Sequence, residues 1–140
     1  MPCPGANERT WIAAAPGQVF PRLQLAQTLM ERASVMLATG RMADSLAQTR
    51  EAVDLMDALW RADPADILVR HALFVALFGE ATVHLNAGRF DEVEPLVVRA
   101  EAVVAGRSDA DADGPFNLTD RAEALALRGA LQLARRETVP

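Results

Sequence analysis

Much of the stretch from Leu29 to Ala52 is written twice. A step of 48 residues carries Leu29 onto Leu77, Ala33 onto Ala81, Leu37 onto Leu85, Gly40-Arg41 onto Gly88-Arg89 and Ala52 onto Ala100. A second step of that length lands on Leu125, Gly129 and Leu133, and the same interval links Phe20, Leu68 and Phe116. Small residues recurring at a fixed period inside helical patterns mark a stack of helical units, each burying its apolar face against its neighbours. The expectation is an all-α chain built as a binding scaffold.

Composition agrees. The 140 residues fit one domain able to bury a sizeable core without disulfide or metal. Tyr and Lys are absent, and Ala and Leu dominate, which favours closely packed helices over a β-sandwich. All 14 basic residues are Arg, and a net charge of −5 argues against a nucleic-acid surface, which needs a basic stripe. Cys3 is the only cysteine, so neither an internal disulfide nor a thiol metal cluster is open to the chain. No charged leader followed by an apolar run opens the sequence, and no run of about 18 apolar residues suggests a membrane span. The cytoplasm is the expected location, with no membrane partner.

Residues 1–17, broken by Pro2, Pro4, Gly5, Pro16 and Gly17, read as a lead-in whose Trp11-Ile12 packs on the first helices or lies in a groove as a tethered plug. Residues 18–140 read as one helical domain. Its first hairpin covers 20–64, with helices from about Phe20 to Ala38 and Ala43 to Arg61 around a Thr39-Gly40-Arg41 stop. The second covers 65–106, with helices from about Asp66 to Ala87 and Asp91 to Val104. Asp91 and Glu94 have the spacing of a capping box, and Pro95 falls in or beside the first turn. An acidic linker, 107–117, leads to a helix over 118–136, for which Asn117, Thr119 and Asp120 are candidate caps. Arg121, Arg128, Gln132 and Arg135 share one side of that helix. A stack needs a polar terminal face, so the expectation is a capped array of two and a half repeats; the competing reading is a fragment of a longer array.

The run LAQTLMERASVMLATGRMADSLAQTREAVDLMDALWRADP resembles a tetratricopeptide repeat (TPR), specifically the long variety with a period near 48 found in actinobacterial multidomain proteins. Its small signature positions match at Ala33, Gly40 and Ala52 and again at Ala81, Gly88 and Ala100, with the closing Asp63-Pro64 matched once. The chain departs from the pattern at Ser45 and Val93, where Ala is usual, and at Met42, where an aromatic is usual. The resemblance implies a right-handed stack of antiparallel helix hairpins and a regulatory or adaptor role in protein recognition on a concave face. By resemblance that face is lined by Gln27, Met30, Ser34 and Leu37, then Val75, Phe78, Thr82, Leu85 and Asn86, then Glu123, Ala126, Ala130 and Leu133. A largely apolar lining with Met and Phe suits an amphipathic helix or apolar peptide of a protein partner. A second copy of the chain, forming a homodimer, is the alternative occupant, and core filling by Met30, Phe78 and Leu85 is the structural one.

One further motif carries chemistry. From Asp109 to Asp120, acids stand at loop positions one, three, five and twelve (Asp109, Asp111, Asp113, Asp120), with Gly114 at six, which is the order of a calcium-binding EF-hand loop. Against it, position twelve is not Glu and no second loop is present; an acidic Asp-Ala linker explains the same residues. His71 and His84 sit on different sides of one helix, and Glu80 with His84 gives two ligands without a third, so a surface hydrogen bond or ion pair is expected there. No nucleophile elbow, phosphate-cradling loop or Cys-His pair is present, and neither enzymatic activity nor a cofactor is expected.

Overall fold

The computed structural model describes residues 19–105 and 114–138. These form five helices, α1 (Val19–Ala38), α2 (Met42–Ala62), α3 (Ile67–Asn86), α4 (Phe90–Ala105) and α5 (Pro115–Thr138), with no strand among them. The architecture is therefore all-α, and α1 with α2 and α3 with α4 pack as antiparallel hairpins. The chain divides into two compact units, one ending at Asp63 and the other starting at Pro64.

The first unit is the α1–α2 hairpin. Its turn is set by Gly40, whose φ of 80° is a left-handed conformation that only glycine adopts without strain. There the Gly40 amide donates to the Leu37 carbonyl at 3.1 Å and the Arg41 amide to the Met36 carbonyl at 2.8 Å, the paired bonds of a Schellman stop. Leu25, Leu29 and Ala33 of α1 are buried, as are Leu46, Ala52, Val53 and Met56 of α2. Ser45 is buried too: its hydroxyl donates across the hairpin to the Ala33 carbonyl at 2.7 Å, so this small polar side chain serves as a close helix-to-helix tie.

The second unit repeats this plan. Gly88 has φ 74°, and the Gly88 and Arg89 amides bond the Leu85 and His84 carbonyls at 3.1 and 2.9 Å, the same stop 48 residues on. Asp66 caps α3 by accepting from the amides of Leu68 and Val69. Leu73, Phe74, Leu77 and Ala81 of α3 are buried, with Val93, Leu96, Val97 and Ala100 of α4. By length and composition α3 could cross a membrane, but half of that stretch is buried inside the protein, where it packs against both α4 and α5.

Two boundaries differ from expectation. α5 begins at Pro115, three residues early, because proline is pre-set for the first helical turn; the Leu118 amide already donates to the Gly114 carbonyl. Asn117, Thr119 and Asp120 thus lie inside the helix and do not cap it. α4 begins at Phe90 and runs through Pro95, and Glu94 does not close a capping box, since its carboxylate is drawn away to two arginines of α5.

Candidate functional site

In the first unit, Gln27, Ser34 and Leu37 are exposed along α1 and Met30 is half-buried. Ser34 spends its hydroxyl on the Met30 carbonyl, and the Gln27 amide reaches Glu31.

In the second unit, Val75 is exposed, Phe78, Thr82 and Leu85 are half-buried, and Asn86 is exposed. The Phe78 ring leans on the fully buried Phe74, with centroids 6.1 Å apart, which fixes it from beneath. The Thr82 hydroxyl donates to the Phe78 carbonyl at 2.8 Å, so its donor is spent within α3. On α5, Glu123 is half-buried, and Ala126, Ala130 and Leu133 are exposed.

What joins the start of α5 to α3 is a pair that no local pattern in the sequence marks. His71 Nδ1 lies 3.0 Å from both carboxylate oxygens of Asp120, and Phe116 stacks on the imidazole at 4.4 Å and 20°. His71, Val75, Phe78 and Thr82 follow at helical spacing along one side of α3, while Phe116, Asp120, Glu123 and Ala130 follow along the facing side of α5. Burial pushes the Asp120 carboxyl above its ordinary range, and hydrogen bonding from His71 with the charges of His71 and Arg70 partly opposes this. A signal was available: if equivalent helices of successive repeats lie side by side, residue 71 meets residue 119 or 120.

Asp120, the twelfth residue of the EF-hand-like pattern, is thus engaged by His71. Asp109, Asp111 and Asp113 lie outside the described residues, and among the described residues no group of three or more His, Cys, Asp or Glu could hold a metal ion. The Glu80–His84 pair is not on the surface as expected. His84 is 1% exposed and Glu80 is buried, with Glu80 3.9 Å from Nε2 and the Glu92 carboxylate 2.9 Å from Nδ1. α3 is covered by α4 on that side, so this pair lies beneath the hairpin.

The polar stripe of α5 also differs from expectation. Arg128 and Arg135 do not form an outer face; they turn onto α4. Arg128 donates to Glu94 at 2.6 Å and to Glu101, and Arg135 donates to Glu94 at 2.8 Å. Two arginines bracket Glu94 and hold its carboxyl below the usual range, while the two glutamates raise Arg128 still further. Arg121 and Gln132 of the stripe stay exposed, and Leu118, Leu125 and Leu133 are exposed with them on the outward side of α5.

No protein-family model matches this chain, and no curated protein or solved structure matches it.

Proposed function

We propose that this chain is a TPR-type, non-catalytic interaction module that holds an amphipathic helix or apolar peptide of a protein partner on the side of α3 and α5 away from α4. The observation that carries the reading is the lining of that side. Val75 and Phe78 present apolar surface, Thr82 has its hydroxyl tied back, and Ala126 and Ala130 leave room for a guest helix. Such a surface offers burial without many fixed polar demands, which is how helix-in-groove recognition gains its affinity. The exposed side of α1, with Met30 and Leu37, gives the first unit a surface of related make.

Selection from a displayed peptide library tests this. Enriched peptides should carry apolar anchors at helical spacing and lose about tenfold or more in affinity against Val75→Asp or Phe78→Asp, the cost expected when a charge meets an apolar anchor. Undiminished binding by both variants, with helicity retained, would remove the proposal.

A further inference from the structure

The internal repeat also says what the outward side of α5 is shaped for. In the first two repeats Leu29 and Leu77 are 0% and 1% exposed, and Ala33 and Ala81 are buried with them, each in a hairpin with an antiparallel second helix. Their third counterparts, Leu125 and Gly129, stand in the open, Leu125 at 73%. The buried line of α5 is instead Asp120, Ala124, Leu127 and Leu131, nearly half a turn away. The arginine forks on Glu94 and Glu101 hold it in that rotation.

The open side therefore carries Leu118, Ala122, Leu125, Gly129 and Leu133 in one line about 22 Å long. Gly129 lies in a shallow depression with Gln132, Leu133, Arg135 and Arg136, and a Cβ there would meet nothing within 4 Å. Arg121 and Arg136 are exposed at the two ends of the line. The covered side of the same helix receives acidic α4 through arginine-to-glutamate pairs, and the open side offers the same cationic chemistry around a longer apolar stripe. We infer that this side of α5 is a docking surface for an antiparallel amphipathic helix of a partner protein whose acidic residues flank its apolar stripe. Charge decides between occupants. A second copy laid on this side would bring another exposed Arg121 and Arg136 to the same stripe, whereas an acidic helix pairs with both.

The probe is a synthetic amphipathic peptide of about 18 residues, the span of the stripe, with a Leu/Ala face flanked by Glu, compared by fluorescence anisotropy with the same peptide flanked by Lys. The full chain should bind the Glu peptide about tenfold or more tighter than the Lys peptide, and the difference should shrink as salt is raised. Leu125→Glu with Leu133→Glu should abolish binding, and Arg121→Glu with Arg136→Glu should invert the preference; all four residues are exposed, so helicity should hold. Val75→Asp should leave the Glu peptide bound, which separates this surface from the one between α3 and α5. Absence of saturable Glu-peptide binding, equal binding of both peptides, or binding untouched by the double leucine variant would each overturn the inference. So would a dimer of the parent chain that the double leucine variant abolishes, since the occupant would then be a second copy.

Discussion

His71 Nδ1 is shared evenly by the two carboxylate oxygens of Asp120, at 3.0 Å from each. The two residues lie near the starts of α3 and α5, and the stacked Phe116 closes one face of the imidazole. The pair thus ties the beginning of α5 to α3, while the arginines of its second half tie it to α4. Asp120 is the buried member, and burial dominates its titration, lifting its carboxyl above the ordinary value of 3.8.

That lift has a sign in stability. A carboxyl that is harder to ionise folded than unfolded penalises the folded state once the unfolded chain ionises. The penalty is absent below about pH 3.8 and grows as pH rises to the folded value. Asp120→Asn keeps the shape and can still accept from His71, but it cannot ionise. Urea unfolding from pH 3.5 to 7 should show the variant gaining on the parent as pH rises. A gain as pH falls would mean that His71 outweighs burial.

Glu94 behaves in the opposite way. Its carboxyl is held down by Arg128 and Arg135, so its contribution to stability is present above about 4.5, the ordinary value, and is lost as pH falls through the folded one. Glu94→Gln should remove part of the parent's acid sensitivity in that range and loosen α5 from α4. Amide exchange should quicken along Ala124 to Leu131 in the variant at neutral pH. Unchanged protection there would show that apolar packing alone seats α5.

The hairpins were legible because the period writes each of their parts twice: buried Leu29 and Leu77, small Ala33 and Ala81, and the two glycine stops. The rotation of α5 was not. Arg128, Gln132 and Arg135 form a stripe that looks solvent-facing on a wheel of α5 alone. The targets of Arg128 and Arg135, Glu94 and Glu101, sit on another helix, and no local pattern joins them. The burial of His84 is hidden for a related reason, since a polar side chain reads as surface until the covering helix supplies Glu92. For the candidate site, the sequence located Phe78 and Val75 on one side of α3, but the His71–Asp120 tie that aligns α5 beside them depends on tertiary contact.

Glycine substitutions separate the turns from the open helix. Gly40→Ala and Gly88→Ala force a side chain into the left-handed region at φ of 80° and 74°, and each should cost about 1 kcal/mol. Gly129 lies within α5 with open space around its Cα, so Gly129→Ala should stabilise by roughly 0.5 to 1 kcal/mol. Thermal melts of the three variants should move in these opposite directions. Destabilisation by Gly129→Ala would show that the glycine is held for close approach within the folded chain.

The leucines at the repeat interval give the sharpest test of how the third repeat is used. Leu29 and Leu77 are fully enclosed, so truncation to Ala removes transfer energy and leaves a cavity, costing about 2 to 5 kcal/mol each. Leu125, at the same position of the third repeat, is largely solvated, and its truncation should fall within about 0.5 kcal/mol of the parent. Denaturant titrations of Leu29→Ala, Leu77→Ala and Leu125→Ala measure all three. A cost at Leu125 matching the other two would mean that this side of α5 is covered in solution. Coverage by a second copy would make that cost grow with protein concentration, because association adds to apparent stability by mass action. A cost independent of concentration would place the covering element within the chain itself.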